Sequence, residues 1–458
     1  MKKTIFSLAM VAAISFTACN DDDPKLPDNL VNFATDAVGI DDDEQSKAIQ
    51  VILSRNVDSD TKVTLSFTES GVTYGSEYTT EPAAEDQTIT LTVVAGSNTA
   101  SFNIIKNNDA FFSGSEQLVF NVTDAESPLI LGSSTVTTVS FASIVSEGSS
   151  MTLQGGEGGA SAVNSVFVDF SNNAQSSVLR QSWDLGFYCG DDFKVILNHT
   201  VGASAIALEK TDLSLVSATD TIGLNLTVAT SNANAFNIID DVDGDMSQTV
   251  FGTIPESDAK VYIINRGTAG SVAARAWKKV RVLRTASGYT LQYANITDAT
   301  YQTLQITKDD AYNFQFVSFD GGLVTFQPAK AKWDIMWTGA MYKTLSSGTY
   351  VPYYFSDQVL INNLAGVTAA EVLVSDDVTY STYAETHIAT TTFSDARSTI
   401  GSNWRATTGT VGVKTDRFYV VKDFAGNVYK LRFINFHASD GGTRGYPNIE
   451  YALVKKAE

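Results

Sequence analysis

The amino-acid sequence predicts an all-β protein with several domains. Segments that alternate apolar and polar residues, rich in Val, Ile, Thr, Tyr and Phe, recur along the chain and are typical of strands. Examples are VTLSFTES, TITLTVVA, VYIINR and FYVVKDF. Clusters of Gly, Asn, Asp and Ser, which favour turns, separate these segments, and no amphipathic helix longer than about three turns is evident. A chain of 458 residues, 43% of them hydrophobic, has room for about two to four domains with cores of their own.

The first residues, 1–18, have the features of a lipoprotein signal peptide. Two lysines precede the short apolar run TIFSLAMVAAISF, and small residues then lead into Cys19, as in a bacterial lipobox. We expect a lipid on Cys19 and a flexible acidic tether over residues 19–29; an ordinary signal peptide with an incidental Cys is the alternative. The acidic run resembles the surface-export signal of Bacteroidota lipoproteins. The sequence therefore predicts a surface-exposed outer-membrane protein that is attached by this lipid alone.

Charge and cysteine content restrict the partners and the chemistry. The net charge of −20 repels nucleic acid. Cys189 is the only cysteine after Cys19, so we expect neither a disulfide within the mature chain nor a Cys-based metal site. No nucleophile elbow, zinc-binding helix or phosphate-binding loop is recognisable. These observations predict a binding protein rather than an enzyme.

The first folded unit is predicted over residues 30–145 as a β-sandwich. Its stretch 78–124 has a Tyr-Thr start, an apolar strand, a Gly turn, a long strand ending in polar and acidic residues, and a final strand introduced by Glu. This pattern resembles Calx-β domains. The resemblance implies a possible calcium site, with Asp109 and Glu116 as candidate ligands. Because the expected acidic pair reads Asn108-Asp109, a spacer sandwich without calcium is the favoured interpretation. A Gly/Ser-rich linker is predicted over residues 146–162.

The second half of the chain repeats itself. The phrases VFVDFSNNAQSSVLRQSWDLGF and FVSFDGGLVTFQPAKAKWDIMW each open with an aromatic-rich strand, pass through a polar turn and reach Trp-Asp. YTLQYANI and YKLRFINF follow at similar spacing. Two anchors in the same order predict a tandem duplication over residues 163–308 and 309–458.

The Trp-Asp pairs are predicted to be fold determinants rather than catalytic groups. Trp183 and Trp333 supply large apolar anchors, and neighbouring residues of a strand face opposite sides. Asp184 and Asp334 would then accept backbone N–H groups at a strand end or a bulge.

The repeated units also carry a family resemblance. The opening strand, the turn, Trp-Asp, FYVVKDFAGNVYKLRFINF and the closing strand YPNIEYALV together resemble the HmuY family of surface haem-binding lipoproteins. The resemblance is best over residues 417–454 and spans about three fifths of the chain. It implies a pair of β domains that hold haem between axial side chains, commonly His or Met, and pass it to an outer-membrane receptor.

The resemblance places the haem ligands between the Trp-Asp strand and the strand that contains FYVV. His387 is the candidate ligand in the second repeat, and Met246 is a weaker one in the first. No His or Met stands near Trp404, where a second ligand is expected. An exposed strand position is the alternative for His387, and a single-ligand pocket is another arrangement.

The function implied by the resemblance is capture of haem, or a related tetrapyrrole, for nutrient acquisition. Haem itself or a haem-carrying host protein would be the partner. The alternative is a surface adhesion or binding module, for a glycan, peptide or protein, that has lost the haem ligands.

Overall fold

The computed structural model describes residues 28–41, 44–107, 110, 112, 116–141 and 145–457. Cys19 and Asp109 lie outside these ranges, so the predicted lipid site and one predicted calcium ligand do too. The described part of the chain is built from strands and short 3₁₀ helices, which confirms the all-β prediction. None of its helices is long and apolar enough to cross a membrane.

The N-terminal sandwich contains ten strands in the described ranges. They are β1 (Asn29–Phe33), β2 (Ala37–Gly39), β3 (Ser46–Leu53), β4 (Thr61–Ser70), β5 (Tyr78–Glu81), β6 (Thr88–Val93), β7 (Thr99–Lys106), β8 (Gln117–Ala125), β9 (Leu129–Leu131) and β10 (Val136–Ser140). One sheet has the order β5-β7-β3-β1-β9 and the other β2-β10-β8-β4-β6. Alternation produces the core: Val63, Leu65 and Phe67 of β4 are buried, and the residues between them are not.

The C-terminal part continues with further strands and 3₁₀ helices. Its first strands are β11 (Gly148–Thr152), β12 (Asn164–Asp169), β13 (Ala174–Leu179), β14 (Leu185–Tyr188), β15 (Val195–Leu197), β16 (Ser204–Ala207), β17 (Tyr262–Asn265), β18 (Lys278–Arg284), β19 (Gly288–Asn295) and β20 (Gln302–Thr307). The remaining strands are β21 (Phe314–Ser318), β22 (Gly322–Val324), β23 (Ile335–Ser346), β24 (Thr349–Ile361), β25 (Thr368–Leu373), β26 (Arg405–Ala406), β27 (Gly412–Val413), β28 (Arg417–Lys422), β29 (Val428–Asn435) and β30 (Asn448–Lys455). The 3₁₀ helices are Gly159–Ser161, His199–Val201, Leu213–Leu215, Ala218–Thr221, Ala235–Ile238, Met246–Gln248, Ala269–Ser271, Asn363–Ala365, Glu385–Thr390 and Ala438–Asp440.

These strands form two lobes, each built on two main sheets; lobe B also contains the two-stranded sheet β26-β27. Lobe A (residues 185–307 and 314–324) contains the sheets β15-β14-β21-β22 and β16-β17-β18-β19-β20. Lobe B (residues 148–179 and 335–455) contains β13-β12-β23-β24 and β11-β30-β29-β28-β25. Each lobe has its own hydrophobic core.

The two predicted repeats exchange strands. Strand β12, which opens the first predicted repeat, pairs with β23 of the second, with Phe167 opposite Met336. Strand β21, which opens the second repeat, pairs with β14 of the first, with Phe316 opposite Gly186. Each lobe therefore takes its opening hairpin from one repeat and its Trp-Asp strand from the other.

Part of the predicted linker is a strand. Residues 148–152 form β11, which pairs antiparallel with β30 at the edge of a lobe B sheet. The physical reason is apolar content within the Gly-rich stretch, because Met151 and Leu153 are buried in the core of lobe B. Gly155 is needed for close packing, since a Cβ there would lie 2.2 Å from the Gly445 carbonyl oxygen.

Candidate functional site

The seam between the lobes is an aromatic cluster. Its buried members are Phe167, Trp183, Ile196, Phe314, Phe316, Phe326, Trp333, Met336, Ala340 and Leu360. The Trp183 ring lies 4.9 Å from that of Phe316, and the Trp333 ring lies 5.2 Å from that of Phe167, both edge to face. In both contacts the Phe belongs to the exchanged opening strand of the other repeat. The seam is thus formed by matching residues from the two repeats.

The aspartates beside these tryptophans make matching contacts. The Asp184 Oδ2 accepts the Phe319 N–H at 2.8 Å, and the Asp334 Oδ2 accepts the Phe170 N–H at 2.7 Å. In each case the donor lies just after the exchanged strand. The Trp-Asp pair therefore contributes a ring to the seam and an acceptor that fixes the end of the partner strand.

The two aspartates differ in their electrostatic surroundings. Asp184 forms a bidentate ion pair with the buried Arg266, at 2.8 and 2.9 Å. Asp334 has no cation among its described contacts; burial and the nearby Asp169 raise its pKa well above the usual value. Asp184 thus has a cationic partner, whereas the raised pKa of Asp334 favours its protonated form.

A small cavity of about 70 Å³ lies at the seam. Trp333, Phe314, Ile196 and Leu360 form apolar walls, and the thioethers of Met246, Met336 and Met341 lie around it. His199 supplies an imidazole and Arg397 a guanidinium, and the lining also contains amide side chains and carboxylates: Asn313, Gln327, Asn362, Asn363, Asp240, Asp241 and Asp245. The cavity thus combines apolar walls with polar groups, as binding sites for small molecules do.

His199 is the residue at this cavity that sequence reasoning did not select. Its Nε2 atom is buried and has no hydrogen-bond partner among the described residues. Burial, together with the positive charge of Arg397, lowers the pKa of His199 to about 3. The imidazole is therefore neutral at physiological pH and retains a lone pair that can bind a metal. The only signal in the sequence was the scarcity of histidine, three in the whole chain.

Residues 239–249, called the lid here, cover the cavity. Asp240 fixes the lid to lobe A by accepting the Leu197 N–H at 2.6 Å and the Val250 N–H at 2.9 Å. Burial raises the Asp240 pKa to about 6 against the lowering effect of these hydrogen bonds. From lobe B, the Arg397 Nη2 donates to the Val242 carbonyl at 3.0 Å, and Lys343 pairs with Asp243. The lid is thus held from both lobes.

The predicted site residues occupy different places. Met246 lies in the lid and lines the cavity, whereas His387 does not line it. The His387 ring stacks on Tyr383 with centroids 5.2 Å apart, and its Nδ1 accepts the Ala384 N–H at 3.0 Å. Glu116 is buried in the sandwich. No group of three or more His, Cys, Asp or Glu able to hold a metal occurs within the described ranges.

Comparison with known proteins gives one strong match. A family model described as HmuY protein matches residues 161–451, which include lobe A and most of lobe B. No curated protein matches the chain.

Solved structures resemble parts of the chain only distantly. The apo form of the Calx CBD1 domain is 12% identical, with a TM-score of 0.22, and the match covers 25% of this chain and 97% of that one. A two-domain protein with unknown function from Bacteroides fragilis NCTC 9343 is 10% identical, with a TM-score of 0.19 and coverage of 41% and 72%. A putative carbohydrate binding protein from Bacteroides ovatus ATCC 8483 is 11% identical, with a TM-score of 0.17 and coverage of 72% and 97%. The Calx-β assignment of the sandwich therefore stays a prediction.

Proposed function

This chain belongs to the HmuY family, and on that premise we propose that it captures haem or a related tetrapyrrole in the cavity between its lobes. The family comprises binding proteins of the cell surface rather than enzymes. The observation that carries the proposal is the neutral His199, whose buried Nε2 lacks a partner beside three methionines. His nitrogen and Met sulfur are the usual protein ligands of haem iron in binding proteins and cytochromes.

The residues fit such a ligand in chemistry, and they fit it in size only when the lid opens. Ligand pockets typically measure about 300–1,000 Å³, whereas the closed cavity holds about 70 Å³. The lid is the segment whose displacement would enlarge it, because polar contacts to Arg397 and Lys343 hold it on lobe B. Bound haem would supply an iron centre, which His199 would bind, and Arg397 would pair with a carboxylate of the ligand.

Localisation and delivery extend the proposal. We place the protein at the outer surface of the outer membrane, attached through Cys19 and the acidic tether. The captured tetrapyrrole, taken free or from a host haem carrier, would pass to an outer-membrane receptor. The sandwich would act as a spacer that holds the lobes away from the membrane.

Hemin titration of the soluble chain, followed by the Soret band, tests the proposal. The three His→Ala variants, at His199, His387 and His437, form a matched set because the chain contains no other histidine. We expect His199→Ala to weaken binding at least about tenfold, the loss of about 1.4 kcal/mol, and to shift the band. His437→Ala is the control, because His437 is half-buried beside the 3₁₀ helix Ala438–Asp440 and does not line the cavity, so this variant should behave as wild type.

The same three His→Ala variants show whether His199 or His387 is the haem ligand. If His387 is the ligand, as the family resemblance implies, the loss will appear in His387→Ala and not in His199→Ala. A wild-type chain without a Soret band in either redox state would contradict haem capture and leave the adhesion or binding-module alternative.

A further inference from the structure

A second cleft lies where the N-terminal sandwich meets lobe B. It measures about 510 Å³, within the range typical of small-molecule sites. One wall is the outer face of β3 and β7, where Gln50 and Ser101 are directly paired. The other wall is formed by β13, with Gln175, Ser176 and Ser177, and by Tyr446. The cleft is separate from the haem cavity and shares no lining residue with it.

The chemistry of this cleft is neutral and polar. Its described lining residues are amides, hydroxyls, one phenol and small residues, and none of them is charged. This is notable in a chain with 18% charged residues and a net charge of −20. Amide side chains offer donors and acceptors together. A surface of this kind matches a ligand whose hydroxyl groups both donate and accept.

The lobe B wall is preorganised. The Gln175 Oε1 accepts the Gln154 N–H at 3.1 Å, and its Nε2 donates to the Thr152 carbonyl at 2.9 Å. The Ser177 hydroxyl donates to the Gln154 carbonyl at 3.0 Å. Each contact uses one hydrogen or one lone pair, so Gln175 keeps a second amide hydrogen and a second lone pair for a ligand. Groups fixed in advance lose little conformational entropy on binding.

Contacts across the joint hold the two walls in place. The Asn173 Nδ2 donates to the Asp36 Oδ1 at 2.9 Å, and Lys332 pairs with Asp41. Tyr446 adds one aromatic side chain to the otherwise amide- and hydroxyl-rich lining. An aromatic ring beside amides can pack on the apolar face of a sugar while the amides bind its hydroxyls.

We propose that this cleft binds a neutral glycan and accommodates one or two of its sugar units. The inference goes beyond the proposed haem capture and does not depend on it. The acidic surface of the protein disfavours sialylated or sulfated glycans, so neutral sugars are the class that the cleft selects. A surface protein with both sites would bind glycosylated material at this cleft and a tetrapyrrole at the cavity between the lobes.

The test is binding of the full soluble chain to immobilised oligomannose, poly-N-acetyllactosamine and maltooligosaccharides, with sialylated and sulfated glycans alongside. Ser101→Trp and Ser177→Trp each fill the cleft from one wall, and both positions are exposed, so folding should survive. Thr92→Trp is the matched control, because it is exposed on β6 of the other sheet. We expect a neutral glycan to bind and both cleft variants to weaken it at least tenfold, with the control unchanged.

Two results would overturn the proposal. One is the absence of binding to any neutral glycan, which would identify the cleft as a hydrated joint. The other is binding that Ser101→Trp and Ser177→Trp leave intact. Hemin titration of the same variants separates the two sites, since a cleft variant should keep its Soret band whether or not it binds sugar.

Discussion

At the residue scale, the two Trp-Asp pairs show how repeated sequence positions can diverge in chemistry. The sequence predicted buried tryptophans and aspartates that accept backbone N–H groups, and the geometry has both features. The partners of the aspartates were beyond sequence reasoning. Arg266 reaches Asp184 from a distant part of the chain, and the carboxylates near Asp334 come together only through folding.

This divergence predicts unequal effects of the same substitution. Asp184→Asn leaves Arg266 buried with a weaker partner, so we expect it to destabilise the lobes by about 3 kcal/mol. Asp334→Asn replaces a carboxyl that has no cation among its described contacts and whose pKa is raised by burial, so we expect it to cost less than Asp184→Asn, under about 1 kcal/mol at pH 7. Denaturant unfolding followed by Trp fluorescence measures both, because every Trp of the chain lies after residue 162. Equal losses in the two variants would contradict this account.

The raised pKa of Asp334 also determines the direction in which stability changes with pH. A folded-state pKa above the unfolded value means that the folded protein binds a proton more tightly. The free energy of unfolding that this tighter proton binding contributes is fully present below about pH 4, the pKa of the carboxyl in the unfolded chain. It is lost as the pH rises through the folded-state pKa. In the Asp334→Asn variant, the free energy of unfolding should lack this loss with rising pH.

At the element scale, the lid lines the cavity, and opening of the lid is what the proposed function requires. The sequence singled out Met246 but not the lid, because an acidic Gly-containing stretch has the composition of any exposed loop. What distinguishes the lid is tertiary: Arg397 and Lys343 reach it from lobe B. His199 was missed for a related reason, since its burial against Trp183 depends on how the lobes meet.

Removing the lobe B contact should loosen the lid. In Arg397→Gln the Val242 carbonyl loses its charged donor, and charge-assisted hydrogen bonds contribute about 1.5–3 kcal/mol. We expect hydrogen–deuterium exchange within residues 239–249 to become at least about tenfold faster, and hemin uptake to quicken. Arg432→Gln is the control, since its pair with Glu450 is half exposed and distant from the lid in sequence. Unchanged exchange in Arg397→Gln would mean that other contacts hold the lid.

At the scale of the whole molecule, strand exchange makes the two lobes interdependent. The alternating strands were sufficient to predict the all-β fold, and the doubled Trp-Asp phrase predicts an internal repeat. They could not reveal that each opening strand joins the sheet of the other repeat, because pairing partners of similar strands are set by long-range packing. We propose that the duplicated units, 163–308 and 309–458, are evolutionary repeats, and that each folded lobe contains strands from both of them.

Interdependence predicts that neither repeat folds alone. A fragment of residues 163–308 lacks β21, and one of residues 309–458 lacks β12, so each would expose an unpaired edge and an open core. We expect both fragments to lack cooperative unfolding when made separately and to form a one-to-one complex when made together. Cooperative unfolding of either isolated fragment would contradict the exchange.

The most direct test of the central claim is hydrogen–deuterium exchange of the intact soluble chain with and without hemin. If the cavity between the lobes is the tetrapyrrole site, hemin will protect residues 196–203 and 239–249 together with the seam strand 333–341. Residues 383–391, around His387, will be unaffected. Protection confined to residues 383–391, or no protection anywhere, would contradict the claim.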